Sequence, residues 1–169
     1  MRWRIAIAAA VALASLLGMI AILVHHTSSG QTRARLPIAA TKPALASFIG
    51  FDEARVALGS KCLRVLVAAT PALRNRGLRD VRNLSPYDGM LFVFPGDSGA
   101  RFTMANTPMP LDITFFSGSG APVDEQRMTP CPNGTDATCP QYGAKSRYRY
   151  ALERPAGSSG SGGLGACGA

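Results

Sequence analysis

A mainly β domain, an antiparallel sandwich or partly closed barrel with one short helix, preceded by a single N-terminal transmembrane helix, is what this sequence predicts. Three observations lead there. Charged residues make up only 17% of the 169 residues while 18 glycines and 12 prolines punctuate the chain, a composition that suits short strands and turns better than a helical bundle. Beyond residue 48, short runs of alternating apolar and polar side chains recur between turn-forming clusters. Ahead of them, Ile5 to Val24 is apolar all round, interrupted only by Ser15 and Gly18, and carries no charge.

That apolar run would extend about 30 Å as a helix, the thickness of a bilayer's hydrocarbon core. Arg2, Arg4 and the α-amino group precede it, while only Arg33 and Arg35 follow. The positive-inside bias therefore sets the N-terminus in the cytoplasm and the rest outside, a single-pass plasma-membrane protein with an extracytoplasmic C-terminal domain. Secretion after cleavage of a signal sequence, at the weak small-residue site Thr27–Ser29, is the alternative, and it also exports the domain. The expected organisation is an anchor or signal sequence over 1–26, a linker over 27–48 and a β domain over 49–155. A flexible Gly/Ser tail is expected over 156–169.

The elements follow in order. In Cys62–Ala69 the side chains of Leu63, Val65, Val67 and Ala69 share one strand face, with Arg64 on the other. Thr70-Pro71 combines a hydroxyl N-cap with proline at the first helical position, and Gly77 supplies the stop, so about two helical turns carry Arg74 and Arg76. Met90–Phe94 reads as a central strand and residues 95–99 as a turn. Strands are expected again at Ala100–Met104, over 111–116, where Leu111, Ile113 and Phe115 alternate with Asp112 and Thr114, and at the mostly polar Val123–Met128. In the last strand Tyr148, Tyr150 and Leu152 alternate with Arg147, Arg149 and Glu153.

Composition also excludes chemistry. His25 and His26 are the only histidines and directly follow the apolar run. The β domain therefore has no histidine general base, no Ser-His-Asp or Cys-His nucleophile and no histidine-containing zinc site. Cys131 and Cys139 enclose seven polar or turn-forming residues. In an oxidising compartment they read as a disulfide-closed loop; the absence of a C-x-x-C pair argues against a metal site. Whether Cys62 and Cys167 pair is open. No cofactor is expected. The net charge is +8, but basic residues are not interleaved with aromatics, so no nucleic-acid partner is expected. Arg74, Arg76, Arg79 and Arg82 form either a solvated face or an anion site.

The densest polar constellation is Met104-x-Asn106-Thr107-Pro108-x-Pro110-Leu111-Asp112. Its two prolines stiffen the loop. Arg76, Met104, Asn106, Thr107 and Asp112 are the ligand-binding candidates, with Asn106 and Asp112 the polar groups facing the main concavity. The competing assignment spends both side chains on backbone donors. No residue is assigned as catalytic, and nothing in the spacing of the carboxylates, Asp88, Asp97, Asp112, Asp124, Glu125, Asp136 and Glu153, selects a hydrolytic pair.

RNRGL at 74–78, GMLFVF at 89–94 and FTMANTPMPLDITFF at 102–116 occur in that order. The stretch closely resembles the bacterial and archaeal domain-of-unknown-function family 192, whose pattern runs R-x-x-GLM, GMLFVF, FWMKNTxIPLDIxFID. The resemblance implies a jelly-roll-like β sandwich, often exported or membrane-anchored, with no established activity. Arg79 stands where the family has Met, Thr103 where it has Trp, Ala105 where it has Lys, and Phe116-Ser117 where it has Ile-Asp. The family's closing strand is replaced by the Gly/Ser tail. The expected function is a ligand-binding or accessory module of the cell envelope, anchored in the membrane through residues 5–24 and serving an unidentified envelope ligand or protein. An envelope glycan hydrolase or lyase using Asp112 with a second carboxylate is one alternative, a structural envelope protein the other.

Overall fold

The computed structural model describes residues 38, 41–158 and 160–167. The expected membrane span at 5–24 lies outside the described residues, and among the described residues no helix is long and apolar enough to cross a membrane.

Where the sequence signal is local, the structure follows it. Thr70 caps helix α1 (Pro71–Arg76): its Oγ1 accepts the Leu73 N–H at 3.2 Å, and Gly77 ends the helix with its N–H on the Leu73 carbonyl. The strands are β1 (Lys42–Pro43), β2 (Asp52–Leu58), β3 (Lys61–Ala68), β4 (Gly89–Ser98), β5 (Phe102–Thr103), β6 (Leu111–Phe116), β7 (Pro122–Met128), β8 (Gln141–Tyr142), β9 (Tyr148–Pro155) and β10 (Leu164–Ala166).

Eight of them form one sheet in the order β1-β2-β3-β4-β9-β6-β7, with β10 also on β2; β5 and β8 make a separate antiparallel pair. The fold is mainly β with one short helix, as expected, but the sheet is mixed. β3 and β4 run parallel, because the chain between them crosses over through α1 and residues 77–88 instead of turning back in a hairpin. The expected turn at 95–99 is also corrected. β4 continues to Ser98 through an irregularity after Val93, and Arg149 holds Asp97 there through its guanidinium at 2.9 Å.

The central strands are buried on both faces, which gives two apolar clusters. One face of the sheet carries Val56, Leu58, Val65, Leu91, Leu152 and Leu164. The opposite face carries Leu66, Met90, Phe92, Ile113, Phe115 and Ala151, with Leu78, Leu84 and Phe102 from the covering loops and β5. The sheet curls far enough for its two edges to meet: Leu164 N–H on β10 donates to the Gly120 carbonyl in the β6–β7 turn at 2.8 Å.

The domain boundaries are wider than 49–155. In the expected linker, β1 pairs with β2, Phe48 is buried, and the Leu45 N–H donates to the Tyr87 hydroxyl at 2.9 Å. A polar knot holds this segment down. Glu53 accepts from Arg64 at 2.6 Å and from the Tyr87 hydroxyl at 2.7 Å, and Lys42 pairs with its other oxygen. The expected flexible tail supplies β10, and Cys167 is disulfide-bonded to Cys62. The closing strand is thus present, on β2. A stretch so rich in glycine carries no strand signal of its own and is ordered by partners far away in sequence.

Candidate functional site

β9 runs between β4 and β6, where Glu153 is in register with Met90 on one side and Ile113 on the other. In a pleated sheet, residues directly opposite one another share a face. Glu153 therefore projects onto the face that α1 and the crossover cover. It is 4% exposed. Among the described residues no group hydrogen-bonds or pairs with its carboxyl, and desolvation pushes its pKa up to about 8. At pH 7 the group is thus mainly the neutral acid, able to donate one hydrogen bond and accept others. Gly89 is required beside it, since a Cβ there would come within 2.5 Å of the Glu153 carbonyl oxygen and 2.9 Å of Arg154 Cγ.

Glu153 lines a cavity of about 630 Å³ under α1. Phe92, Phe94 and Phe102 form the apolar wall, Thr103 and Thr107 add hydroxyls, and Arg74, Arg76, Arg79 and Arg101 supply positive charge. Phe102 packs edge-on against Phe92, with ring centroids 4.9 Å apart, which stiffens that wall.

Of the residues singled out from sequence, Arg76 and Thr107 line this cavity, whereas Met104, Asn106 and Asp112 are not among its lining residues. Met104 is core, 1% exposed. Asn106 adopts a left-handed φ of 57°, which asparagine tolerates better than most residues. Its carbonyl accepts from the Asp80 N–H at 2.7 Å, and its own N–H donates to the Cys131 carbonyl at 3.0 Å. Its exposed side chain has no partner among the described residues.

Asp112 projects from the other face of the sheet. It is in register with Arg154, one residue out of phase with the Ile113–Glu153 pair. Its two oxygens meet Arg127 at 2.8 and 3.2 Å, one also accepts the Gly157 N–H at 2.8 Å, and Arg127 holds its pKa below the usual carboxylate range. Asp112 and Glu153 therefore do not converge as a carboxylate pair.

The loop 131–139 reaches the cavity mouth from a different part of the chain. Its cysteines are joined with Cα atoms 6.1 Å apart, and Gly134 is obligatory beside them, because a Cβ there would collide with both sulfurs. The loop delivers Asp136 to Arg79, whose guanidinium pairs with it at 2.5 Å. Among the described residues no three His, Cys, Asp or Glu side chains converge as metal ligands.

Glu153 was read from sequence only as one carboxylate of seven, on the polar side of an alternating strand. Its flank did hold a signal: both Leu152 and Ala151 beside it are apolar, as suits a strand buried on both faces.

The model of the family described as uncharacterised ACR, DUF192, matches residues 54–166. No curated protein matches the chain. Among solved structures, the chain is similar to a protein of unknown function from Novosphingobium aromaticivorans DSM 12444, with a TM-score of 0.61 and 23% identity over 75% of this chain and 92% of that one. It is also similar to a Sinorhizobium meliloti 1021 protein provisionally labelled a transcription regulator, with a TM-score of 0.58 and 26% identity over 69% of this chain and 95% of that one. The first likeness concerns the fold alone.

Proposed function

This chain belongs to the DUF192 family, and we propose that its β domain is a binding module whose small-molecule ligand enters the cavity under α1 and hydrogen-bonds to the Glu153 carboxyl. The single observation that carries this reading is Glu153 itself: a largely buried acid with no hydrogen-bond or ion-pair partner among the described residues, lining a concavity. The carboxyl faces the cavity, where a ligand would supply the hydrogen bonds that no described residue gives it. The volume, about 630 Å³, lies in the range of roughly 300 to 1,000 Å³ usual for small-molecule sites.

The test uses the full chain in a non-ionic detergent. Fragments are screened by thermal shift, since a specific ligand raises the melting temperature by mass action. The screen is repeated with Glu153→Met, which keeps the volume and removes the hydrogen bonds. Fragments that stabilise the parent protein are expected to lose most of their effect in the variant. No hits, or hits indifferent to the substitution, would refute the reading.

The same proposal puts the domain outside the cytoplasm, tethered through residues 5–24 or secreted after cleavage. Its two disulfides, Cys62–Cys167 and Cys131–Cys139, support an oxidising compartment. A C-terminal reporter that works only outside the cytoplasm should give signal. Activity of a cytoplasm-only reporter at that position would overturn the orientation.

A further inference from the structure

Three of the cavity's four arginines are held in place with no carboxylate partner among the described residues. Arg74 donates from one nitrogen to the carbonyls of Ala69 and Val93 at 2.6 and 2.9 Å and lies over the Phe94 ring, 4.9 Å from its centroid. Arg76 donates to the Ile49 carbonyl at 2.7 Å and lies 4.5 Å from the Phe51 centroid. Arg101 donates to the Gln141 carbonyl at 2.9 Å. Backbone carbonyls and ring faces orient a guanidinium and leave its formal charge uncompensated. Each of these three side chains also keeps donors to spare, because a guanidinium has five N–H groups.

Arg79 alone among the four has a carboxylate partner, and that partner is exposed: the Asp136 side chain keeps 65% of its surface in solvent. It is carried by a loop from elsewhere in the chain and sits at the cavity mouth.

We infer that the cavity takes a small organic anion, its phosphate or carboxylate held among Arg74, Arg76, Arg79 and Arg101 and its uncharged, hydroxyl-bearing body reaching Glu153. On this view Asp136 occupies the anion's place on Arg79 until the ligand arrives. The inference rests on the binding reading of the cavity and adds the ligand's charge class. A cationic ligand would meet three uncompensated guanidinium groups at close range. A second anionic group at the inner end would face a carboxyl in an apolar setting, whereas a hydroxyl can both accept from the neutral acid and donate to it.

The experiment titrates the full chain in non-ionic detergent with glucose 6-phosphate, glucuronate, glucose and inorganic phosphate, by calorimetry at two salt concentrations. At least one of the two sugar anions is expected to bind about tenfold or more tightly than glucose and to weaken as salt rises. The stronger of the two identifies a phosphoryl or a carboxylate group. Arg101→Met should weaken that anion about tenfold. Asp136→Asn removes the internal competitor and should tighten it several-fold. Circular dichroism and melting temperature confirm that both variants, altered at exposed side chains, are folded. Glucose binding as tightly as either anion, silence from all four probes, or an Asp136→Asn variant with unchanged or weaker anion affinity would each overturn the inference. Fragment hits sensitive to Glu153→Met alongside any of these results would leave the binding reading standing, so the two failures are distinguishable.

Discussion

Replacing Glu153 with glutamine is expected to abolish most of the stability loss that the domain otherwise suffers between about pH 5 and pH 8. The sign follows from proton linkage. In the unfolded chain this carboxyl releases its proton near the usual value of 4.5, whereas in the folded protein burial holds the proton until about pH 8. Across that window the native state binds more protons than the unfolded state, so stability falls as pH rises. The contribution is fully present below pH 4.5, declines through the window and levels off above pH 8, with a total loss on the order of 5 kcal/mol.

Glutamine has nearly the same shape and never ionises, so the variant should gain on the parent steadily with pH. Urea denaturation of both proteins at pH 5, 6, 7 and 8 measures the gap, and taking the difference cancels groups common to the two. Parallel stability curves would mean that Glu153 ionises normally. Glu53 acts in the opposite direction. The Arg64 hydrogen bond first, and then that from Tyr87, hold its pKa down at about 2. Its contribution is present above the usual carboxylate value and is lost as pH falls toward 2. The two glutamates therefore place maximal stability on the acid side of neutrality, near pH 5.

Removing the Cys62–Cys167 disulfide, by Ala at both positions, should cost about 4 to 5 kcal/mol in the chain-entropy account, against about 2.5 kcal/mol for the Cys131–Cys139 bridge. The difference comes from the lengths of chain that they close, 105 and 8 residues respectively. The longer bridge also acts locally. Cys62 is in register with Ala57 of β2, and Ala57 with Gly165 of β10, so the bond straps β10 across β2 onto β3. Without it, β10 leaves the β2 edge exposed and Leu164 leaves the apolar cluster. Guanidinium denaturation of the two double variants under non-reducing conditions gives the comparison. An equal or smaller loss for the Cys62–Cys167 variant would show that β10 packs by its own contacts.

How legible each feature was depends on how far its partners lie along the chain. Thr70, Pro71 and Gly77 define α1 because capping is decided within one helical turn. Cys131 and Cys139 announce their loop because only turn-forming residues separate them. β2 was missed even though Ala54, Val56 and Leu58 alternate with Glu53 and Arg55, a pattern that small Ala54 and Ala57 blur. The roles of Asn106 and Asp112 lay in the backbone turn and in the ion pair they join. A cluster of polar residue types does not reveal either.

The sequence by itself determined the β-rich class, the short capped helix, the small disulfide loop, the family and the exclusion of histidine chemistry from the β domain, since each rests on composition, on neighbours in the chain or on a run of matching residues. Only the tertiary structure decided the rest. It set β3 parallel to β4, which forced a crossover and left a cavity beneath it. It ordered a glycine-rich tail through Cys62 and β2, more than 100 residues away. It also covered the second face of β9, turning Glu153 from one charged residue on an alternating strand into a buried acid. Burial and pairing across the sheet are long-range properties, and the free energy that shifts a carboxyl's ionisation comes from what packs over it, which no local pattern specifies.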